Sequence, residues 1–167
     1  MFKNRGGRTS GVIDGLRSDI KVLVDGKIIS EKENQILLQT LQIIEETDKL
    51  GDYSNFLPQL QKIKNNWLSS SFKIEEGEGR VSSYMISVAE NSYNFWTSTP
   101  NGRVSGSLAV PLWVGLDAVG ALAGAGSSLW SQRNNQDTDW WEVGGQAVIW
   151  GAAGSIPGTR AFSKIFK

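Results

Sequence analysis

The 167-residue chain contains no cysteine and no histidine. Without cysteine there is no disulfide framework and no thiolate to hold a metal. Without histidine the chain also lacks the commonest general base, the commonest metal ligand and the side chain that ordinarily titrates near neutral pH. An excess of charge of either sign is missing too: Lys plus Arg and Asp plus Glu number 17 each. No global field therefore draws the chain toward nucleic acid or an anionic surface, and no nucleic-acid partner is expected. The basic start MFKNRGGRTSG is not followed by the apolar run of a secretory signal. The expectation is a protein made in the cytoplasm and exported, if at all, by a dedicated injection machine.

These absences weigh against catalysis. Serines are plentiful, but no histidine can activate one, and Ser18 three residues before Lys21 is a weak pairing. Glu75, Glu76, Asp117, Asp137 and Asp139 offer carboxylates without the defined separation that paired acid and base work requires. The run Gly120 to Gly126 has no following Lys-Ser/Thr and no preceding strand pattern, so it is no phosphate loop. Asp25, Glu31 and Glu33 sit in a stretch where Lys27, Ile28 and Ile29 occupy places that a calcium loop fills with oxygen ligands. The expectation is a non-enzymatic protein without catalytic, cofactor-binding or metal-ligating residues.

What is present is helical periodicity. Ile13, Leu16, Ile20 and Leu23 recur at three- and four-residue steps, as do Leu37, Leu41 and Ile44, and again Phe56, Leu60, Ile63 and Trp67. Ser30-x-x-Glu33 reads as a capping box, Gly26 and Gly51 as helix stops, and Pro58 as a first-turn residue. LSSSFKIEEGEGR reads as an exposed loop whose Glu75, Glu76 and Glu78 are solvated. Val81, Tyr84, Met85, Val88, Ser92 and Phe95 resume the helical spacing, and the aromatics Tyr84, Tyr93, Phe95 and Trp96 read as core packing. The pattern predicts an all-α single-domain bundle of about six helices, over 12–24, 31–50, 55–69, 80–98, 108–130 and 142–156, with a further turn toward Phe166. Residues 1–80 hold most of the charge, which divides an amphipathic region, 1–100, from an apolar one, 101–167, packed together as one domain.

The apolar region is the most unusual part of the chain. From Leu108 to Trp130 the only charged residue is Asp117, and the segment from Val143 to Ile156 has none. The polar SQRNNQDTD between them is short enough to return the chain antiparallel, giving a helical hairpin. Gly115, Gly120 and Gly124 on the first segment and Gly144, Gly151 and Gly154 on the second are expected to let backbones approach closely or to contact lipid. Trp113, Trp130 and Trp150 mark segment ends, as in an interfacial belt or as core fillers. Two arrangements suit these residues: a buried central pair in a helical domain, which packing alone favours, or a hairpin sheathed by the front helices and released at a bilayer. About twenty residues reach across a membrane and about fourteen fall short.

Ser87-Val88-Ala89-x-x-Ser92-x-x-Phe95-Trp96, followed by an apolar tail from Gly115-Leu116-Asp117-Ala118-Val119-Gly120-Ala121, resembles a loosely defined set of small bacterial proteins. The tail is similar to the glycine-zipper segments of bacteriocins and other membrane-active toxins. The expectation is a chain that differs from a peptide bacteriocin precursor in its helical front and in lacking a double-glycine leader. The resemblance implies an effector or toxin-like protein that acts on a membrane through its hairpin, with the target membrane or a delivery or assembly protein as partner. The alternative is a soluble structural or adaptor protein of a larger assembly, with the hairpin as its buried core. Oligomeric state is not legible in either case.

Overall fold

In the computed structural model, described over residues 7–50, 54–98, 110–135 and 137–154, each periodic segment is a helix. These are α1 (Gly7–Asp25), α2 (Glu31–Leu50), α3 (Phe56–Ser69), α4 (Arg80–Ser98), α5 (Val110–Gln132) and α6 (Trp140–Gly154). A single 3-10 turn, Ile74–Glu76, lies between α3 and α4. The fold is all-α, and no strand occurs among the described residues. Gly51, the Pro100 turn, Leu108 and the segment from Ser155 to Lys167 lie outside the described residues.

The stripes read from the sequence all point inward. Ile13, Leu16, Ile20 and Leu23 of α1 are buried, as are Leu37, Leu41 and Ile44 of α2 and Phe56, Leu60 and Ile63 of α3. α5 lies among them, in contact with α1, α2, α4 and α6. Ion pairs tie the outer helices together: Arg17 to Glu45 at 2.7 Å joins α1 to α2, and Lys64 to Glu90 at 2.6 Å joins α3 to α4. Lys49 and Arg17 donate to Glu45 and hold its carboxyl below the ordinary value.

Helix boundaries shift where the polar flanks carry no periodicity. α1 begins at Gly7 rather than residue 12, because its first turn has no apolar stripe to reveal it. α5 runs on to Gln132 because that side chain organises the following turn: its Oε1 accepts from the Asp139 N–H at 2.6 Å, and its Nε2 donates to Glu142 Oε2 at 3.0 Å. α6 begins two residues earlier than expected, at Trp140. There Asp139 Oδ1 accepts from the N–H groups of Trp141 and Glu142 at 3.0 and 3.1 Å, a helix cap.

The stop after α1 is a correction to the sequence reading. The left-handed residue is Lys27, at φ 56°, and not Gly26. Lys27 N–H donates to Val24 O at 2.8 Å and Ile28 N–H to Leu23 O at 2.8 Å, the pair of bonds of a Schellman motif with Lys27 in the position that glycine prefers. A side chain there carries a backbone penalty of roughly 1–2 kcal/mol. Lys27→Gly is therefore expected to raise stability by about 1 kcal/mol in chemical denaturation, less the greater entropy of the unfolded glycine.

The capping box is half formed. Glu33 N–H donates to Ser30 Oγ at 3.1 Å, as the motif requires. The Glu33 carboxylate turns the other way, into the core, and takes up the start of α4. Its Oε2 accepts from Gly79 N–H at 3.1 Å, and its Oε1 from Ser82 N–H at 2.9 Å and Ser82 Oγ at 3.2 Å. A carboxylate at the positive end of α4, only 2% exposed, thus fastens α2 to α4. Burial outweighs these hydrogen bonds and raises its pKa above the ordinary value of 4.5.

Glu33→Ala leaves two buried N–H groups without their acceptor. It should cost about 3 kcal/mol, at about 1–3 kcal/mol for each orphaned group. The pH dependence has a defined sign. With the folded pKa raised, the stability linked to Glu33 is full below the ordinary glutamate value and is lost as pH rises through the folded one. Urea midpoints measured from about pH 4 to 8 should fall across that window in the native chain and lose this component in Glu33→Gln.

The candidate functional site is the apolar hairpin

α5 and α6 are Gly/Ala-rich throughout, and the structure uses their glycines differently from one another. At Gly124 the two backbones meet: a Cβ there would stand 2.3 Å from the Gln146 carbonyl oxygen and 2.9 Å from Trp150 Cβ. Gly120, one turn earlier, is buried. Gly115 faces away from the hairpin partner and toward α2, where a Cβ would be 2.9 Å from Ile44 Cγ2. Gly144 rests on Tyr84 of α4, with the ring's Cζ and Oη at 3.3 Å from a built Cβ. The side-chain surroundings of Trp113, Gly151 and Gly154 lie outside the description, although their backbones are helical.

The tryptophans divide in the same way. Trp150 is half-buried against Gly124, with Nε1 donating to Gln146 Oε1 at 3.0 Å. Trp130 is half-buried, with the Arg133 guanidinium 4.4 Å above its ring. Trp140 closes the hairpin onto the front helices. Its ring stands where a Gly77 side chain would be, 2.0 Å from a built Cβ; Arg80 lies 4.8 Å from the ring centre, and Tyr84 Oη donates to its carbonyl at 3.4 Å. Trp141 projects outward, 92% exposed.

The loop before α4 makes this closure possible, and the sequence reading of it as wholly exposed is corrected here. Gly77 and Gly79 are buried at φ +89° and +82°, a left-handed conformation natural to glycine. A Cβ on Gly79 would collide with the Phe72 ring at 2.7 Å, and the Gly79 carbonyl accepts from Trp67 Nε1 at 2.9 Å. Glu78 Oε2 accepts from Lys73 N–H at 3.1 Å and its pKa is lowered, chiefly by that bond. Of the α4 aromatics, Tyr93 stacks on Phe56 with centroids 5.7 Å apart, whereas Phe95 is exposed rather than in the core. The side chain of Trp96 lies outside the description.

One carboxylate lies inside the site. Asp117 on α5 is buried, and Ser92 of α4 donates a short hydrogen bond to its Oδ2. This contact joins two residues from the motif segments Ser87 to Trp96 and Gly115 to Ala121, which the sequence could not place side by side. Asp139, which the sequence offers only as one carboxylate among several, caps α6, and Gln132, which no sequence motif marks, shapes the hairpin turn. Asp139-x-x-Glu142 repeats the spacing of Ser30-x-x-Glu33 and would have located the start of α6.

Among the described residues no group of three His, Cys, Asp or Glu side chains stands close enough to hold a metal ion. An open groove of about 960 Å³ lies where the α1–α2 turn, the loop before α4 and the hairpin turn converge. Lys27, Lys73 and Arg133 line it together with Glu31, Glu33, Glu76 and Glu78, so charges of both signs face the groove. Comparisons with protein-family models, curated proteins and solved structures find no match.

The close approach at Gly124 is testable against a neighbouring glycine. Gly124→Leu must push α6 away and should lower stability by about 1–3 kcal/mol or more through overpacking. Gly145, with nothing within 4 Å of a built Cβ, is the control. Gly145→Ala should gain about 0.5–1 kcal/mol from helix propensity in the same thermal unfolding measurement.

Proposed function

We propose that this chain is a non-enzymatic effector or toxin-like protein that acts on membranes, with α1 to α4 sheathing the α5–α6 hairpin until a bilayer is met. One observation carries the reading: beyond Glu142 in its first turn, α6 presents apolar residues on both faces, yet only one face is covered. Val143 and Ala147 are buried, while Trp141, Val148 and Ile149 are exposed. A helix that is apolar all round belongs inside protein or in contact with lipid. Delivery by an injection machine and kinship with glycine-zipper toxins belong to the same reading.

The buried state of α5 is the second support. Every described residue from Val114 to Gly126 is buried, so the apolar surface suited to lipid is held in reserve rather than displayed. The adaptor reading has its own support. No helix among the described residues is long and apolar enough to cross a membrane. The interlock at Gly124 and the buried Asp117 also suit a permanent core, since a carboxylate at the centre of a bilayer costs a few kcal/mol, about 2.5–3.5 on insertion scales.

Dye-loaded liposomes separate the two. With no native cysteine, a Ser92→Cys/Asp117→Cys pair placed where the two side chains meet serves as a lock of α4 onto α5, once non-reducing electrophoresis and thiol titration establish that the disulfide forms. Leakage is expected from the native chain and the reduced pair, and should stop in the locked form and return on reduction. Equal leakage in both redox forms, or none from the native chain across lipid compositions, removes the released-hairpin reading and leaves the adaptor.

A further inference from the structure

The exposed side of α6 runs along one line of the helix: Trp141, Gly145, Val148 and Ile149 recur at four- and three-residue steps. Their relative exposures are 92% for Trp141, 64% for Val148 and 60% for Ile149. No lysine or arginine occurs between Arg133 and Arg160, so the stripe carries no cation. At its N-terminal end Asp137, Asp139 and Glu142 are exposed beside Trp141. The surface is thus an apolar strip with a tryptophan at one end and acidic groups around that end.

Three quantities decide what fits it. The three apolar side chains present on the order of 400 Å² of surface, about half the ~800 Å² per partner that a stable protein pair buries. The 15 residues of α6 extend about 22 Å, short of the ~30 Å hydrocarbon core of a bilayer. Backbone hydrogen bonding within the helix leaves no donor row for a peptide strand to pair with. A short helix with one apolar stripe and a terminal tryptophan instead suits the plane of a lipid interface, where indole sits at headgroup level.

We propose that the Trp141–Val148–Ile149 face of α6 docks the intact bundle on a zwitterionic lipid surface, with the helix lying in the plane of the interface and α5 still sheathed. The inference rests on the membrane reading above but concerns an earlier step, contact without release of the hairpin. Asp137, Asp139 and Glu142 repel anionic headgroups, so apolar insertion and not charge attraction drives the contact. Binding is correspondingly insensitive to salt.

The absence of native cysteine makes the test direct. An environment-sensitive dye on Ile149→Cys should shift to the blue on phosphatidylcholine vesicles, and less on vesicles containing phosphatidylglycerol. Val148→Asp/Ile149→Asp, at exposed positions and checked for helix content by far-UV circular dichroism, should lower co-sedimentation with phosphatidylcholine vesicles by roughly tenfold or more. A dye shift without leakage supports this docking face while counting against hairpin release. Leakage with no dye shift, and unchanged by the double Asp variant, overturns the docking face and leaves hairpin release standing. A stronger response to phosphatidylglycerol overturns the inference, as does no response to either vesicle, including the case where light scattering shows α6 holding a second copy of the chain.

Discussion

The contact at Gly124, where the backbone of α5 meets Gln146 of α6, sets the geometry of the bundle. With hydrogen in place of a side chain, α6 comes close enough that a single methyl group would strike a carbonyl oxygen. Small residues of this kind replace side-chain interdigitation with backbone contact over a short axis-to-axis distance. α5 then needs cover on its remaining sides, and α1, α2 and α4 supply it. Gly115 repeats the device on the opposite flank, where Ile44 of α2 closes over it. The amphipathic front helices are placed by the need of one helix that is buried along most of its described length.

Two carboxylates inside this apolar setting attach α4 to its neighbours. Glu33 reaches from α2 to the first turn of α4, and Asp117 on α5 receives a hydrogen bond from Ser92 further along the same helix. Each buries a group that costs free energy to desolvate, and each is held by hydrogen bonds from α4 or, for Glu33, also from Gly79 just before it. Trp140 adds a third attachment, seated over Gly77 and under Arg80. The hairpin and the front helices therefore meet through α4 and the loop before it.

Composition does not separate α5 from α6, but position does. Both are rich in Gly, Ala and Val, and both lack an internal run of charge. α5 passes between four other helices and is buried along most of its described length, whereas α6 lies on the outside and shows Val148 and Ile149 to solvent. The exposed apolar strip of Trp141, Val148 and Ile149 along one side of α6 is the feature that the proposed lipid contact draws on.

The sequence by itself determined the helices and their inward stripes, because three- and four-residue apolar spacing is a property of the local chain and survives any arrangement of neighbours. Ile13, Leu16, Ile20 and Leu23, then Leu37, Leu41 and Ile44, and Phe56, Leu60 and Ile63 are buried as their spacing required, and Ser30 caps α2 as its side chain foretold. Only the tertiary structure decided which partner each face meets. Glu33 leaves its own helix for α4, Gly115 packs on α2 instead of α6, Lys27 takes the left-handed position beside Gly26, and Phe95 faces outward on a helix whose other stripe residues include the buried Val81 and Met85. The Lys27 turn is closed locally by the backbone bonds of Lys27 and Ile28 to Val24 and Leu23. For Glu33, Gly115 and Phe95 the reason is common: a carboxylate's acceptor sites, a glycine's missing Cβ and an aromatic's surface have no preferred partner along the chain. Their partners are chosen by which backbones close packing brings within a few ångströms.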